Sequence, residues 1–277
     1  MPNFIHNLLI FVVGFIASAI NAIAFGGSLI SFPTLIWLGL PPIVANATNT
    51  AGVWPGSLGA VWGYRREIAH TAPRMYWLIV PSIAGALVGA GLLRMTSPDL
   101  FDRLVPLLIL FATLLFAGQE RGRNPKSQIP SSKSQPMFKS RLSVGSWVPR
   151  WDLGFGSWDL GFASAMIIQF LVSVYGGYFG AGMGILMLVA LSILGHDDIH
   201  QMNGLKNLLG VFINAVAAGY FLLAGMVRAS DAIVMACGAT LGGVAAAGLA
   251  RRMGRKAVRR AVIVVGFAMT LALFLRL

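Results

Sequence analysis

Residues 203–214 read Asn-Gly-Leu-Lys-Asn-Leu-Leu-Gly-Val-Phe-Ile-Asn (NGLKNLLGVFIN), and they lie near the start of a long apolar run. Lys206 is the only charged residue of this stretch. On a helix, Asn203, Asn207 and Asn214 fall within a narrow arc, because their spacings track the 3.6-residue turn. Lys206 lies about 60° to one side of Asn203, on the flank of the same stripe. The stretch therefore predicts an apolar helix with one polar face.

A second polar stripe occurs 157 residues earlier, in residues 46–57 (NATNTAGVWPGS), where Thr48 adds a further hydroxyl. The aligned pairs are Asn46 with Asn203, Asn49 with Lys206, Thr50 with Asn207 and Ser57 with Asn214. The same offset also aligns Gly85 with Gly242, Gly91 with Gly248, Arg94 with Arg251, Arg103 with Arg260 and Thr113 with Thr270. A constant offset held over some seventy positions predicts an internal duplication.

The composition is that of a membrane protein. Of the 277 residues, 57% are hydrophobic and only 11% are charged, against about 25% in a soluble domain. The net charge of +12 comes from bases concentrated in short polar stretches, seven of them within 118–150 and six within 251–260. Bases between apolar spans mark the cytoplasmic side, so the charge reports topology and disfavours nucleic-acid binding.

Ten apolar segments are predicted, five on each side of a polar linker. They lie near 4–24, 28–40, 46–64, 75–95, 100–117, 161–180, 183–195, 202–224, 229–250 and 257–276. The second and seventh segments hold only about 12 apolar residues each, whereas a membrane span needs about 20. The predicted fold is an all-α polytopic membrane protein with 8–10 transmembrane helices, divided into a first repeat (1–117), a disordered cytoplasmic linker (118–160) and a second repeat (161–277).

The basic residues predict that the two repeats have opposite orientations. Arg65, Arg66 and Arg74 follow the third segment, whereas the basic stretch of the second half, 251–260, follows the ninth. Equivalent loops thus face opposite sides of the membrane, with the linker inside. Short, glycine-interrupted segments in corresponding positions of two inverted halves indicate the binding site of a transporter. Gly26, Gly27, Gly180 and Gly182 are therefore predicted to shape a cavity, although glycines also allow close helix packing.

The polar stripes predict the chemistry of the site. We expect the two faces to meet at the centre of the molecule, since amides facing lipid are costly. The predicted substrate contacts are Asn46, Thr48, Asn49, Thr50, Asn203, Lys206, Asn207 and Asn214. Neutral donors around one ammonium group, with no carboxylate deep in any segment, suit a small oxyanion and not a metal cation.

Two structural interpretations of these residues stay open. The Lys206 stem is near enough to the end of its segment to extend toward water, or its ammonium group could pair with Asp197 or Asp198. Asn46 and Asn203 could simply hold helices together. His196 and His200 flank the two aspartates, but a polar helix entrance explains this cluster better than a metal site does. No Ser-His-Asp or paired-carboxylate arrangement lies in a segment, so neither an enzyme nor a cofactor is predicted.

Several stretches carry a family resemblance. FGGSLISFPTLIWLGLPPIVANATNT from Phe25, GSLGAVWGYRRE from Gly56 and YGGYFGAGMGILMLVALSILGHDDIHQMNGLKNLLGVFINAVAA from Tyr175 resemble the two halves of TauE/SafE (sulfite exporter) transporters. The resemblance implies a bacterial inner-membrane permease for small sulfur-containing anions such as sulfite, sulfoacetate or related sulfonates. Where the family's first repeat often has consecutive glycines, this chain has Ser28.

The sequence therefore predicts a multi-pass secondary transporter of the cell inner membrane, an exporter or permease for a small anion. A passive anion channel, or a permease for another small organic acid, stays an alternative. The expected partners are the small anionic substrate and the lipid bilayer, with homo-oligomerisation left open. The transported species, the direction and the coupling ion do not follow from the residues.

Overall fold

The computed structural model describes residues 2–24, 26–71, 73–118, 157–193, 199–252 and 255–275, and these residues form helices joined by short turns. The helices are α1 (Pro2–Ala24), α2 (Ser28–Trp37), α3 (Pro42–Gly63), α4 (Arg65–Ala69), a 3-10 helix (Pro73–Leu78), α5 (Ile79–Met95), α6 (Pro98–Gly118), α7 (Ser157–Tyr178), α8 (Met183–Ile193), α9 (Ile199–Leu223), α10 (Ala229–Arg252) and α11 (Arg255–Phe274). The described part of the chain contains no β-strand, so the all-α prediction is confirmed.

Each of the ten predicted segments corresponds to one of the long or half-length helices. Two elements were not predicted, α4 and the 3-10 helix that leads into α5. Of the predicted linker, residues 119–156 lie outside the described residues. α7 begins at Ser157, within the predicted linker, 118–160.

The second and seventh segments form half-length helices. α2 has 10 residues and α8 has 11, so each is about 15–17 Å long, roughly half the hydrocarbon thickness of a bilayer. Each follows a glycine-rich turn. The turn before α8 contains Gly180 and Gly182 with φ of 77° and 78°, a backbone conformation that side chains with a Cβ rarely adopt.

Three helical stretches of the described residues are long and apolar enough to cross a membrane, Phe4–Ala22, Pro73–Met95 and Gln201–Leu223. Four shorter apolar helices accompany them, Ser28–Trp37, Phe162–Tyr178, Ala229–Ala245 and Ile263–Phe274. Large apolar side chains on α1, α5, α6, α7 and α10 are exposed on the outside of the bundle. Trp37, Trp62 and Trp77 are exposed near helix ends, where an aromatic belt of a membrane protein lies. The protein is therefore built to be surrounded by lipid.

When each helix is replaced by its counterpart in the other half of the chain, nearly the same set of helix contacts results. α1 packs along α10 and α5 packs along α7; α3 also contacts α10, as α9 contacts α5. Each half-length helix packs on its neighbours in the same way, α2 on α1 and α3, and α8 on α7 and α9. Two pairs of equivalent helices, α3 with α9 and α6 with α11, contact each other directly. This pattern is the one expected of duplicated halves.

Equivalent helices cross in opposite directions. The Trp54 indole nitrogen donates a hydrogen bond of 3.1 Å to the Val211 carbonyl oxygen, where α3 meets α9. Thr48, earlier on α3, accepts a hydrogen bond of 3.0 Å from the Arg228 backbone N–H, beyond the end of α9. A sequence position before Trp54 is thus close to one after Val211, which makes α3 and α9 antiparallel.

The glycine pairs Gly85–Gly89 of α5 and Gly238–Gly242 of α10 serve close packing. A Cβ on Gly85 would lie 2.5 Å from the Phe170 carbonyl oxygen of α7, and one on Gly238 would lie 2.1 Å from that of Phe11 on α1. Gly89 and Gly242 repeat these contacts one turn later. The absence of side chains lets the paired helices touch along their backbones.

Candidate functional site

A polar cavity lies between the starts of both half-length helices and the crossing of α3 with α9. Its volume is about 30 Å³, room for about two water molecules. It is lined by Asn21, Ser28, Asn49, Thr50, Val53, Trp54, Ser57, Phe179, Gly180, Met183 and Asn214. Of the predicted contacts, Asn49, Thr50, Asn214 and Gly180 are thus brought together. The lining contains no ionisable side chain.

The first turns of two helices face this cavity. Ser28 begins α2 and Met183 begins α8, and both line the cavity wall. The Asn21 side-chain oxygen accepts a hydrogen bond of 2.7 Å from the Gly27 backbone N–H and fixes the turn ahead of α2. Helix N-termini carry partial positive charge and N–H groups without helical partners. Two of them at one cavity make it a favourable place for negative charge.

Asn49 is oriented by a residue that the sequence did not single out. The Ser31 hydroxyl on α2 donates to the Asn49 side-chain oxygen, and Asn49 is 3% exposed. Because the amide oxygen accepts from Ser31, the amide nitrogen is the end of Asn49 left to donate to a guest. The only indication of this partner in the sequence was the three-residue spacing of Ser28 and Ser31, which places both serines on the same side of α2.

Thr50 and Asn214 contribute in different ways. The Thr50 hydroxyl donates a hydrogen bond of 2.9 Å to the Asn46 carbonyl oxygen of its own helix, so its lone pairs are what it can offer to the cavity. Asn214 is half-buried and reaches the cavity from α9. Ser57, its counterpart on α3, lines the same cavity. At this cavity the first half of the chain contributes the Ser57 hydroxyl, and the second half contributes the Asn214 amide.

The two polar stripes run past each other in opposite directions. Asn46 lies eight residues before Trp54, and Asn203 lies eight residues before Val211. Because the two helices are antiparallel, these asparagines are about 24 Å apart along the helix axes. Only the central parts of the stripes come together, since an antiparallel crossing separates residues that a parallel one would pair.

The outer predicted contacts of α3 hold neighbouring elements. The Asn46 amide nitrogen donates a hydrogen bond of 2.9 Å to the Tyr178 carbonyl oxygen at the end of α7, and the Asn46 side-chain oxygen is buried without a hydrogen-bond partner. Thr48 is fully buried and accepts from Arg228 as described above. Both residues fix the position of α3 relative to the second repeat.

Lys206 is buried, with 3% of its surface exposed. Its Nζ donates a hydrogen bond of 2.9 Å to the Asn203 side-chain oxygen, one turn earlier on α9. This arrangement differs from the alternative in which the Lys206 stem extends toward water. Asp197 and Asp198, its other candidate partners, lie outside the described residues. Asn207 is 2% exposed, and neither its amide nitrogen nor its amide oxygen has a hydrogen-bond partner.

Of the four glycines predicted to shape the cavity, one lines it and the other three lie in the turns before α2 and α8. Gly180 lines the cavity. Gly27 is pressed against α1, where a Cβ would lie 1.9 Å from the Ala17 carbonyl oxygen, and Gly182 faces Ala112 of α6. Gly26 is buried in the turn before α2. The positive φ angles of Gly180 and Gly182 set the direction from which α8 enters the cavity wall.

Asp231 is a buried carboxylate that sequence reasoning placed only at a segment end. It lies in the first turn of α10 and is 3% exposed. Its side-chain oxygens lie 3.4 Å from the His6 Nε2 of α1 and 3.8 Å from an Arg228 guanidinium nitrogen. Burial depends on how α1 covers the start of α10, which hydropathy along the chain does not report. Asp231 thus connects α1, α10 and the turn before α10, at the end of the bundle where α3 begins.

Within the described ranges, no group of three or more His, Cys, Asp and Glu side chains could hold a metal ion. Most of the GHDDIH cluster, including His196 and both aspartates, lies outside those ranges. The prediction that this cluster binds no metal therefore stays a prediction.

Comparison with known proteins gives a consistent result. The family description "Sulfite exporter TauE/SafE" matches residues 10–273. A "Probable membrane transporter protein" of Haemophilus influenzae is 28% identical over 95% of this chain and 92% of its own length. "Probable membrane transporter protein ORF9" of Sinorhizobium sp. is 25% identical over 99% and 95%. "Probable membrane transporter protein YfcA" of Escherichia coli K12 is 25% identical over 95% and 87%.

No solved structure matches the chain significantly. The family match nevertheless covers both repeats, the two half-length helices and every residue that lines the polar cavity. The chain belongs to the sulfite exporter TauE/SafE family.

Proposed function

We propose that this protein is a secondary transporter that binds a small oxyanion in the polar cavity and carries it across the membrane by alternating access. The observation that supports this most directly is the convergence of two half-helix N-termini on one cavity, together with Asn49 and Asn214. Discontinuous helices whose N-termini point at an anionic group recur at the binding sites of secondary transporters.

The composition of the cavity wall favours an anion over a cation. Asn49 offers an amide N–H, Ser28 and Ser57 offer hydroxyls, and the two helix starts add partial positive charge. A metal cation would need carboxylate or several carbonyl oxygens, and the lining offers no carboxylate. Neutral donors hold a small oxyanion without trapping it, because they avoid the strong attraction of a buried ion pair.

The antiparallel crossings support an inverted arrangement of the two repeats. In addition to α3 and α9, α6 and α11 run in opposite directions. Gly266 of α11 lies against Thr113 of α6, and Leu273, later on α11, shares a crevice with Val105, earlier on α6. Two repeats related by an axis in the membrane plane give this geometry. A cavity on that axis can open alternately to either side when the repeats rock against each other.

The size of the cavity fits a closed state of such a cycle. The cavity has room for about two water molecules, and a sulfite or sulfonate group needs more space than that. Binding therefore requires α3 and α9 to move apart. We place the protein in the cell inner membrane with the linker 118–160 in the cytoplasm, following the basic residues of that linker. Sulfite and organosulfonates such as sulfoacetate are the first substrates to test, since the family description names sulfite.

Reconstitution in lipid vesicles tests the proposal. Vesicles loaded with unlabelled sulfite, and others loaded with sulfoacetate or lactate, are diluted into trace labelled anion of the same kind. With the membrane potential held near zero by potassium and valinomycin, a carrier gives saturable uptake and transient counterflow, whereas a passive channel gives neither. Vesicles without protein are the control. Absence of counterflow for every anion, with protein that is folded and monodisperse, would overturn the proposal.

A further inference from the structure

A buried carboxylate outside the polar cavity is only partly compensated by its neighbours. Asp231, in the first turn of α10, is 3% exposed. Its Oδ1 accepts a hydrogen bond of 3.2 Å from the Ser230 hydroxyl and lies 3.4 Å from the His6 Nε2. Its Oδ2 has no hydrogen-bond partner among the described residues, because the Arg228 guanidinium nitrogen at 3.8 Å is beyond hydrogen-bond distance. The burial of this charge is costly unless it is well paired.

His6 is the neighbour of Asp231 whose charge can change. Histidine is the side chain that gains or loses its charge near neutral pH, and the His6 side chain is 29% exposed at the end of the bundle. α1 and α3 pack along α10, and His6 is the only ionisable residue in the sequence of either helix. The next ionisable residue of α10 is Cys237, which is exposed about 9 Å further along the helix axis.

The other helices that contact α1 bring no charge to this end of the bundle. α2 has no ionisable residue, and the bases of α11 lie within 255–260, at its start. Because α11 runs antiparallel to α6, its start lies at the end of the bundle where α6 ends. Arg228, just before α10, is therefore the remaining charged group that faces Asp231.

A proton on His6 strengthens the contact with Asp231. When His6 is protonated, the buried carboxylate is paired with two cations. When His6 is neutral, the remaining cation is Arg228, whose side chain is 45% exposed. By linkage, an arrangement in which His6 faces Asp231 binds the proton more tightly than one in which the two are separated. Lowering the pH therefore stabilises this contact, and raising the pH weakens it.

The contact is connected to the helix that carries the cavity wall. The Arg228 backbone N–H donates a hydrogen bond of 3.0 Å to the Thr48 hydroxyl oxygen of α3. Thr48 is fully buried, and the next two residues, Asn49 and Thr50, line the cavity. Arg228 thus joins the start of α10 to α3. At this end of the bundle α3 can move away from the turn before α10 only if the hydrogen bond between Thr48 and Arg228 breaks.

This end of the bundle faces away from the cytoplasm. Arg65 and Arg66 follow the end of α3, and basic residues at a helix end mark the cytoplasmic side. Thr48 and Asp231 lie where α3 begins, which is the outer side. Because Thr48 precedes the cavity residues along α3, its contact with Arg228 lies between the cavity and the outer end of that helix.

From this arrangement we propose that His6 and Asp231 form a proton-controlled gate on the outer side of the cavity. His6 takes up a proton from the outer solution and returns it to the same solution. Protonated His6 holds α1, the start of α10 and α3 together and keeps the outer side closed. Neutral His6 lets α3 part from the turn before α10. The proposal rests on the proposed alternating access and adds that acid outside restricts the outward opening.

Reagent access to a cysteine in the cavity tests the gate without a known substrate. Ser28→Cys in a Cys237→Ser background places one thiol in the cavity wall. A membrane-impermeant methanethiosulfonate is added to spheroplasts, where it reaches the outer side alone, and the labelled protein is then purified. Labelling rates are measured at about pH 6 and about pH 8, a range over which histidine changes its charge. Because thiol ionisation also varies with pH, each rate is divided by that of the same reporter carrying His6→Gln.

We expect the normalised rate to be several-fold lower at the acidic pH. His6→Arg, whose charge is permanent, should give slow labelling at both pH values. Asp231→Asn should behave like His6→Gln, although its histidine still titrates. His70→Gln is the matched control, since it removes an exposed histidine at the end of α4, and it should keep the wild-type profile. His6→Asn supplies a second neutral side chain if His6→Gln does not fold.

The same pH profile with His6 and with His6→Gln would overturn the gate. Absence of labelling in every variant would overturn it too, because the cavity would then not open to the outside. Counterflow in the vesicle assay separates this result from the proposed function. Counterflow together with pH-independent normalised labelling would overturn the gate alone. A pH-dependent normalised rate without counterflow of any anion would overturn the transporter proposal and leave the proton-sensitive opening.

Discussion

The Trp54 indole nitrogen and the Val211 carbonyl oxygen are hydrogen-bonded at 3.1 Å, and these residues stand 157 positions apart, the offset that relates the two halves of the sequence. A residue that touches its own counterpart lies near the axis relating the repeats. The polar cavity lies beside this contact, with Trp54 in its wall. The contact between these equivalent positions of the predicted duplication therefore adjoins the candidate site.

Asn49→Asp tests whether the cavity holds an anion. The substitution keeps an oxygen that accepts from Ser31, but it replaces the donating amide with negative charge. Two like charges 4 Å apart repel by about 4 kcal/mol at an effective dielectric constant of 20. We expect counterflow of sulfite or sulfonate to fall on the order of 100-fold or more. Ser97→Asp, which adds a negative charge in the exposed turn between α5 and α6, should transport normally.

Gly180→Ala tests the turn that aims α8 at the cavity. Gly180 has φ of 77°, so a Cβ costs about 1–2 kcal/mol in strain. Gly225 is the matched control, because its φ is 68° and its surroundings are open. We expect both alanine variants to lower the melting temperature, Gly180→Ala more so because its Cβ would also lie 3.0 Å from the Gly176 carbonyl oxygen, and only Gly180→Ala to lose transport. Equal transport by the two variants would remove Gly180 from the site.

A designed disulfide tests the antiparallel packing of α6 and α11. An ideal Cβ on Gly266 lies 3.2 Å from the Thr113 Cβ, close to the separation in disulfides. We expect Thr113→Cys with Gly266→Cys to cross-link under mild oxidation in a Cys237→Ser background, as seen by a mobility shift that reductant reverses. Ile109→Cys with Thr270→Cys should also cross-link, because an antiparallel crossing places residue 109 opposite residue 270, whereas Ala117→Cys with Thr270→Cys should not. The reverse result would contradict the antiparallel arrangement.

Lys206→Met tests the buried cation. Methionine keeps much of the stem but removes the charge and the donors that reach Asn203. Hydrogen bonds to charged groups contribute about 1.5–3 kcal/mol, and 1.4 kcal/mol corresponds to tenfold. We expect transport to fall roughly tenfold or more, measured as counterflow at low anion concentration, while the protein stays folded. Transport at the wild-type level would show that Lys206 has a structural role only.

Asp231→Asn tests the tie between α1, α10 and the turn before α10. The carboxylate loses its charge opposite His6 and Arg228, although its shape is kept. We expect a loss of about 1 kcal/mol or somewhat more in the free energy of unfolding, seen as a lower melting temperature in detergent. Asp99→Asn removes an exposed acid from the first turn of α6 and should cost less. If both substitutions lowered the free energy of unfolding equally, burial of Asp231 would not strengthen its interactions.

The sequence by itself determined the local elements and their repetition. Hydropathy located all ten segments, because burial in lipid or in a bundle demands a continuous apolar helix surface. The constant offset predicted a duplication, and glycines with short apolar lengths indicated the half-length helices α2 and α8. These signals are local, since each depends only on neighbours within a few turns of chain.

Only the tertiary structure decided which polar residues share a site. Helical periodicity placed Asn46, Asn49 and Asn203 on stripes, and the basic residues predicted inverted repeats. The position along α3 and α9 at which the two helices cross is set by packing between distant segments. The antiparallel crossing brings Asn214 to Asn49 and carries Asn203 away from Asn46. Contacts such as Ser31 with Asn49, and the burial of Asp231, likewise join residues far apart in sequence, and no pattern along one helix encodes its partner.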